Sequence, residues 1–346
     1  MVPLLAACGG GGTPGGPQEP DRVTYLFGTA APNLADAVWF AVGRRAGFFA
    51  EERIDARAAF NDGGAAALQA LVGGAGDVAV SELVNVVSAA SAGMPVQVYA
   101  NMVHRYSWFI AVPPDSPITS PQQLAGKKVG IISAGSGSQP FATKVLKDAG
   151  VDGGVEFVTV GAGAGAAEAL RNGTVDALAN LDVIFKTLEA TGLTVRYLPR
   201  SAEFDTMPGA LFVRRADDGA ERKEAIDRFT RAAWRSMLYA LANPDRAVQM
   251  TYEVFPDLEA AAPANAVDVA KSWLAYLVPA GADYTTVTDW ASVSPDGFAS
   301  SYAFAQDSGL LQDRRPVTYE SLVDTGSFAA VNDFDRAAVL ERARNG

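Results

Sequence analysis

Acidic and polar side chains follow two equivalent apolar segments of the sequence, and their types suit binding of a small solute. Ser81 and Glu82 follow the run Val78–Val80, and Asn180 and Asp182 stand at the matching place in a later segment. A carboxylate accepts hydrogen bonds and attracts cations, so these positions favour a ligand with donors, such as an amine or an aminopyrimidine. Polar residues at strand ends also act as caps or turns, and that alternative stays open.

A run of small and hydroxyl-bearing residues, Ser133–Ser138, separates a predicted strand from a helix that begins near Pro140. Backbone N–H groups at a helix N-terminus bind anionic or carbonyl groups, while glycine allows close approach and serine adds hydroxyl donors. We therefore predict ligand contacts from Ser136, Gly137 and Ser138. A flexible loop with a serine cap is the alternative.

Two glycine-rich turns follow predicted strands in the two halves of the chain. Gly161–Gly165 resembles a dinucleotide-binding fingerprint, and Asp182 lies near the distance at which such sites bind ribose. The matching place in the first half is Asp62–Gly64, where a tight turn into an alanine-rich helix is sufficient. We therefore predict no cofactor, and we expect Gly63 and Gly64 to offer backbone amides to a ligand.

Three aromatic residues, Trp39, Trp108 and Phe204, are candidates for a stacking wall, because a flat ring buries much apolar area at low conformational cost. Core packing is the alternative for each of them. Thr29 lies in the loop after the first predicted strand, and Asp36 lies in the first turn of the next helix. Asp36 either contacts a ligand or stabilises the helix as a negative charge near its N-terminus.

Composition excludes several classes of function. The chain has 346 residues and a net charge of -11, so it lacks the dense basic surface that nucleic acids require. His104 is its only histidine and Cys8 its only cysteine, so zinc sites built on His/Cys clusters, Cys-His catalysis and Ser-His-Asp triads cannot assemble within one chain. We predict no metal site and no catalytic residue.

The candidate residues fall at corresponding places because the chain contains one pattern twice. Tyr25–Leu83 and Val129–Ile184 both run through strand, helix, strand, Gly-rich turn and helix, and each closes on another short strand. Two copies are too few for a solenoid, so the pattern predicts an α/β fold with two lobes that face each other. Open α/β sheets bind ligands beyond the carboxyl ends of their strands.

Prolines mark where the chain is expected to pass between the lobes. Val96–Met102 and Trp108–Val112 are expected to complete the first sheet, and the proline-rich segment 113–117 to form the first crossing. Met207–Gly209 marks the return, and the chain from Glu221 onward is mostly helical and expected to pack on the first lobe. The predicted parts are a tether over 1–20, a first lobe over 21–112 and 209–346, and a second lobe over 113–208.

The N-terminal segment resembles a bacterial lipobox. Leu5–Cys8 places small residues before a cysteine, and a Gly- and Pro-rich tract follows as a flexible tether. We therefore expect lipidation of Cys8 and anchoring of the chain to the cell membrane through it. An incidental tail is the alternative. No later stretch approaches the roughly 20 continuous apolar residues of a transmembrane helix.

Four segments of the sequence resemble the solute-binding proteins of ABC importers, in the SsuA/THI5-like (NMT1) branch that includes nitrate, sulfonate and thiamine-precursor binders. In chain order they are Gly43–Glu52, Gly126–Gly130, Ala169–Ala177, and Val293–Asp296 leading to Asp307–Leu311. The resemblance extends from about Arg22 to about Phe328. It implies a two-lobed, periplasmic-binding-protein-like fold (type II) with mixed, mainly parallel sheets and two hinge crossings.

The resemblance also implies a function. Such a protein would be an extracytoplasmic, lipid-anchored monomer that captures a small solute between its lobes and delivers it to a membrane permease. A thiamine-precursor-like planar heterocycle is the first expectation, because of the carboxylates and aromatic residues, and a nitrate or sulfonate is the alternative, because of the serine loop. A sensor module and a thiamine-pyrimidine-synthase-like enzyme are further alternatives. Those synthases depend on a reactant histidine and clustered cysteines, for which this chain has no equivalents.

Overall fold

The computed structural model describes residues 19–151, 153–311 and 315–346. Cys8 and the predicted lipobox lie outside these residues, so lipidation stays a prediction. The described chain forms two α/β lobes, each built on a five-stranded sheet. No helix in the described ranges combines the length and the apolar character needed to span a membrane.

The first lobe begins with alternating strands and helices, as the sequence predicts. Its elements in chain order are β1 (Asp21–Phe27), α1 (Leu34–Arg45), α2 (Phe48–Glu51), β2 (Ile54–Phe60), α3 (Gly64–Val72), β3 (Val78–Ser81), α4 (Leu83–Ser91) and β4 (Val96–Val103). β1 pairs in parallel with β2 on one side and with β3 on the other.

The second lobe repeats this arrangement. Its elements are β5 (Trp108–Val112), β6 (Lys128–Ile131), α5 (Ser138–Asp148), β7 (Glu156–Thr159), α6 (Ala164–Arg171), β8 (Ala177–Leu181), α7 (Asp182–Glu189) and β9 (Arg196–Tyr197). β6 pairs in parallel with β7 and β8, as β1 does with β2 and β3. The duplicated pattern in the sequence therefore corresponds to two equivalent sheets.

The chain then returns to the first sheet and ends in helices. The last elements are β10 (Ala210–Arg215), α8 (Ala220–Ala242), α9 (Pro244–Val254), α10 (Pro256–Ala260), α11 (Ala266–Ala275), α12 (Pro295–Asp307), α13 (Tyr319–Leu322), α14 (Gly326–Asn332) and α15 (Arg336–Asn345). α8 and α9 pack against α1, as expected for a tail that covers the first lobe. α11 and α12 also reach α7 and α5 of the second lobe, which the sequence did not predict.

One strand lies in the other sheet from the one that the sequence predicts. The placement of Trp108–Val112 in the first sheet is wrong, because β5 pairs antiparallel with β8 and with β9. The first crossing therefore falls in the segment 104–107, and the prolines at 113–117 come after the strand. β4 and β5 are both mostly buried and apolar, so their patterns do not reveal which sheet supplies their partners.

The two sheets have equivalent strand orders because the lobes exchange strands. The orders are β2-β1-β3-β10-β4 and β7-β6-β8-β5-β9. β10, which follows the second lobe along the chain, lies antiparallel between β3 and β4. β5, which follows β4, lies antiparallel between β8 and β9. Both crossings therefore lead into strands that are paired on both sides.

An apolar cluster joins the two lobes near these crossings. It contains Leu26 and Val98 of the first sheet together with Val129 and Phe141 of the second lobe. Another cluster holds the C-terminal helices against the first sheet, with Trp234 fully buried at its centre. The lobes are therefore in contact through buried apolar side chains as well as through the chain itself.

A buried arginine ties β10 to the C-terminal helices. Arg214 is 1% exposed, and its guanidinium donates to Asp227 at 3.0 Å, to Asp324 at 2.6 Å and to Ser327 at 2.9 Å. The same group lies 4.7 Å from the centre of the Tyr99 ring. Removing one member of such a network leaves the others uncompensated, so Arg214 links the return strand firmly to the tail.

We expect Arg214→Ala to lower the free energy of unfolding by about 3–5 kcal/mol, because two partly buried carboxylates lose their buried cation. Among the described residues, Asp227 then has no ion pair, and Asp324 keeps only Lys223 at 3.7 Å. Urea unfolding measures this change. Arg57→Ala is the matched control, since the Arg57 side chain is 54% exposed and such surface pairs contribute only about 0–1 kcal/mol. Equal losses for the two variants would contradict this role of Arg214.

Candidate functional site

A cavity of about 510 Å³ lies between the two lobes. It is bounded by the loops that follow β1, β2, β3, β6 and β7 and by the last residue of β8, all at the carboxyl ends of strands in the two sheets. Ligands bind α/β sheets at this end of the strands. One residue from each of these six strand ends, in chain order, is Thr29, Gly63, Glu82, Ser136, Gly163 and Leu181.

A smaller compartment of about 120 Å³ adjoins this outer cavity and extends toward the first sheet. Asp36, Glu82 and Trp108 line both spaces, so the two compartments meet at these residues. Ser107 and Gly209, which lie in the two segments that cross between the lobes, line only the inner compartment. The combined site therefore reaches from the loop tips to the hinge.

Two carboxylates stand where the compartments meet. Asn33, the N-cap of α1, accepts from the Asp36 N–H at 3.0 Å and donates from Nδ2 to Asp36 Oδ2 at 2.8 Å. Asn85 Nδ2 donates to Glu82 Oε2 at 2.9 Å. Burial raises the pKa of both carboxyls, and the asparagine bonds only partly oppose this effect. The negative charge of Asp36 raises the pKa of Glu82 further.

No cationic side chain faces these carboxylates within the described residues. Lys, Arg and His are absent from the described lining of both compartments, whereas Asp62 adds a third carboxylate to the outer cavity. Buried carboxylates without a cationic partner favour a ligand that brings a positive charge or hydrogen-bond donors. The same arrangement repels an anion.

The serine hydroxyls after β6 bond within their own loop. Ser136 Oγ donates to the Ser133 carbonyl at 2.8 Å and lies 2.5 Å from Ser138 Oγ. Ser138 is fully buried, accepts from the Ile132 N–H at 3.1 Å, and does not line the cavity. Ser136 Oγ also accepts from the Ser133 and Ser138 N–H groups at 3.4 Å, so both the donor and the acceptor capacity of this hydroxyl are used within the loop.

The loops of the two lobes touch at one side of the cavity. Gly63 has a φ of +91°, and a Cβ at this position would lie 2.6 Å from the Gly135 carbonyl oxygen of the second lobe. A Cβ at Gly64 would lie 2.5 Å from Ser81 Oγ. Glycine is therefore required here both for its backbone conformation and for the close approach of the two lobes.

A family model described as NMT1/THI5 like matches residues 35–247, which are more than half of the chain. The chain belongs to the NMT1/THI5-like family. This confirms the family resemblance read from the sequence. No curated protein sequence matches the chain.

Solved structures share the fold of this family member at low sequence identity. A protein from Bordetella bronchiseptica RB50 has a TM-score of 0.70 and 23% identity, covering 91% of this chain and 98% of that one. The alkanesulfonate-binding protein SsuA from Xanthomonas axonopodis pv. citri, bound to MOPS, has a TM-score of 0.65 and 18% identity, covering 89% and 100%. The periplasmic aliphatic sulphonate binding protein SsuA from Escherichia coli has a TM-score of 0.63 and 17% identity. The match covers 83% of this chain and 91% of that one. These likenesses confirm the predicted periplasmic-binding-protein-like fold.

In this member of the NMT1/THI5-like family, the fold brings many of the predicted site residues together. The predicted residues that line the outer cavity are Thr29, Asp36, Gly63, Gly64, Glu82, Trp108 and Ser136. Ser81 lines the inner compartment. Contact between these residues and a ligand stays a prediction.

Two of the three predicted aromatic residues lie in the core and line neither compartment. Trp39 is fully buried, with its ring 5.1 Å from that of Tyr25 and 6.3 Å from that of Phe27. Phe204 is fully buried in a short 3₁₀ turn and stacks on Tyr106 at 5.6 Å. Trp39 and Phe204 are therefore core residues, as the alternative interpretation of the sequence held, and they are not part of the proposed site.

Asn180 and Gly137 are also hidden from both compartments. Asn180 is 1% exposed, and its Oδ1 accepts from the Leu181 N–H at 2.9 Å, so its side chain is used within β8. Gly137 packs behind two lining residues, since a Cβ there would lie 3.1 Å from the Trp108 ring and 3.2 Å from Glu82. Gly137 therefore makes room for the site without lining it.

Asp182 bonds across the lobes and does not line the cavity. Its Oδ1 accepts from the Tyr197 hydroxyl at 2.5 Å, and its Oδ2 accepts from Ser272 Oγ of α11 at 2.8 Å. Nearby, Asn265 Nδ2 donates to the Lys186 carbonyl oxygen at 3.0 Å. These bonds hold α11, from the C-terminal tail, against α7 of the second lobe.

The C-terminal tail supplies a wall of the cavity that sequence reasoning missed. Tyr252, Leu258, Pro263 and Val269 line the outer cavity from α9, α11 and the chain between them. No local motif marks these residues, because their position depends on the packing of α9 and α11 against α1. The mainly apolar side chains of these residues indicate that they are buried, but they do not indicate which surface of the protein they pack against.

We expect Glu82→Gln to stabilise the ligand-free protein at about pH 8 and to have little effect at about pH 4. The pKa of Glu82 is raised in the folded chain, so its contribution is favourable below the ordinary pKa and is lost as the pH rises through the raised one. Glutamine does not ionise and escapes this loss. Thermal unfolding at the two pH values measures the difference.

Glu168→Gln, at an exposed position of α6, is the control and should change the melting temperature equally at both pH values. A Glu82→Gln variant with the same pH dependence as the parent chain would show that the Glu82 carboxylate is fully solvated.

Proposed function

We propose that this protein is an extracytoplasmic solute-binding component of an ABC importer, which captures a small molecule between its lobes and delivers it to a membrane permease. Family membership and the fold shared with sulfonate-binding proteins support this role. The cavity supports it too, since closure about two hinge segments would shield a ligand from water. In this role the protein acts as a monomer that is anchored to the membrane through lipidated Cys8, and it binds its ligand without a catalytic step.

For the ligand we propose a planar heterocycle that carries an amine or another donor group, as a thiamine precursor does. One observation carries this choice: Asp36 and Glu82 stand in the cavity without a cation among its described lining residues. Trp108 lines the same space and offers a flat apolar surface. Four further lining residues complete the proposed contacts: Thr29, Gly63, Gly64 and Ser136.

A sulfonate or nitrate suits this cavity less well. The alkanesulfonate-binding protein bound to MOPS has the same fold at only 18% identity, so its ligand does not transfer to this chain. In this cavity an anion would lie beside Asp36 and Glu82. The hydroxyl of Ser136 is already donated within its loop and offers the anion no proton.

An enzyme that uses a reactant histidine is also less well supported. His104 lines neither compartment, and its ring packs against Trp234 and Trp290. Its Nδ1 lies 3.1 Å from Asn101 Nδ2, and burial lowers its pKa to about 4. A histidine in this position packs against aromatic rings at the start of the first crossing and lies outside both compartments.

We expect the aminopyrimidine unit of thiamine to bind the purified protein, and Asp36→Asn and Glu82→Gln each to weaken this binding about 10-fold to 100-fold. The reason is that a hydrogen bond to a charged group contributes about 1.5–3 kcal/mol. Isothermal titration calorimetry measures the affinities, and native mass spectrometry of the purified protein identifies any co-purified molecule.

Glu168→Gln is again the matched control, because it removes a carboxylate that is exposed and outside the cavity. Tighter binding of taurine, an alkanesulfonate or nitrate than of the aminopyrimidine would replace the ligand class. Unchanged affinity in both cavity variants would remove Asp36 and Glu82 from the site.

We expect Ser272→Ala to weaken ligand binding about 5-fold and to speed ligand release, because it removes a bond that joins the lobes and such bonds contribute about 1 kcal/mol. Stopped-flow measurement of the release rate tests this. Thr288→Ala, at an exposed position of the same tail, should leave the rate unchanged. An unchanged rate in Ser272→Ala would show that α11 does not take part in closure.

A further inference from the structure

The two compartments differ in chemistry. The outer cavity has a mainly apolar wall, to which side chains such as Val183 and Leu258 contribute. The inner compartment has about one-quarter of the volume of the outer cavity. Its acceptor side chains are Asp36 and Glu82, which lie where it meets the outer cavity, and the hydroxyls of Thr29, Ser81 and Ser107. A single compact ligand would fill one space and leave the other empty, so the combined shape favours a ligand with two unlike parts.

Ser81 has a hydrogen-bonding capacity that the described residues do not use. The side chain is 2% exposed, its Oγ has no partner in the described part of the chain, and it lines the inner compartment. A buried polar atom without a partner costs about 1–3 kcal/mol. Ser81 ends β3, where pairing with Leu211 of β10 holds its backbone in place. An unused hydroxyl held beside two carboxylates therefore indicates a ligand group that can donate to all three.

We propose that the inner compartment binds a primary ammonium group whose three N–H donors are accepted by Asp36, Glu82 and Ser81, while the larger apolar or planar body of the ligand fills the outer cavity. A primary ammonium has three donors and no acceptor, which matches this set of side chains. The inference rests on the proposed solute-binding function and narrows its ligand class to organic amines with two parts. Asn33 and Asn85 each hold one carboxylate oxygen, so the acceptors are oriented before the ligand arrives.

Charge favours the same assignment. Burial and mutual repulsion disfavour two ionised carboxylates in this space, and a positive group placed between them relieves both effects. A quaternary ammonium would bring the charge but no N–H donor, and an alcohol would bring one donor but no charge. Comparison of a primary ammonium, a quaternary ammonium and an alcohol therefore separates the contribution of charge from that of hydrogen bonding.

The test uses the full chain and three probes with the same apolar body: 2-phenylethylamine, its N,N,N-trimethylammonium analogue and 2-phenylethanol. In calorimetry the amine should bind most tightly, and the other two about tenfold more weakly. Ser81→Ala should weaken binding of the amine about 5-fold to 10-fold and leave the other two probes unchanged. Ser300→Ala on α12 is the matched control and should alter none of the affinities.

Equal affinity for the three probes, or a Ser81→Ala effect that is absent or the same for all of them, would overturn the assignment. If none of the probes binds, the co-purified molecule seen by native mass spectrometry decides: a primary amine supports the inference and any other molecule overturns it. A co-purified or bound sulfonate that carries no amino group would remove the ammonium site while leaving the solute-binding proposal intact. If no molecule co-purifies and no amine, aminopyrimidine, sulfonate or nitrate raises the melting temperature, both proposals fail.

Discussion

The exchange of strands between the lobes is the constraint on which the site depends. β5 and β10 each follow one lobe along the chain but pair, antiparallel and on both sides, inside the sheet of the other. Because these strands are held on both edges, the crossings that lead into them lie at the base of the cleft. The carboxyl ends of the parallel strands of both sheets border one gap, and Ser107 and Gly209 of the crossings line its inner part.

Electrostatics gives this gap its chemical character. Asp36 and Glu82 are held by short-range bonds from Asn33 and Asn85, yet no cation among the described lining residues balances them. Ionised carboxylates in such a place oppose folding of the empty protein, and a bound cation or donor group reverses that effect. A ligand that interacts with both lobes then favours the closed conformation by its differential affinity alone. The same unbalanced negative charge that destabilises the free chain is available to a ligand that brings donors.

The C-terminal helices connect the site to the rest of the fold. α8 and α9 cover α1 and belong to the first lobe, but α11 is hydrogen-bonded to α7 of the second through Ser272 and Asn265. The tail therefore supplies both a wall of the cavity and bonds that join the lobes. Asp182 accepts the hydrogen bond from Ser272. Its carboxylate, although it follows a strand end, therefore joins the two lobes and does not line the cavity.

The sequence predicts the order of strands and helices and the duplicated halves, because apolar periodicity is a local property of the chain. The residue counts alone, with one histidine and one cysteine, argue against His/Cys chemistry within one chain. The rule that ligands bind beyond strand ends also places Ser81 and Glu82 near the gap, and Trp108 is a candidate stacking residue from its type alone. Only the tertiary structure decided that β5 belongs to the second sheet, that Trp39 lies in the core one turn after Asp36, and that α11 reaches α7. Strand pairing and contact between lobes join segments far apart in the chain, and two equally apolar strands carry no local mark of the partner each will choose.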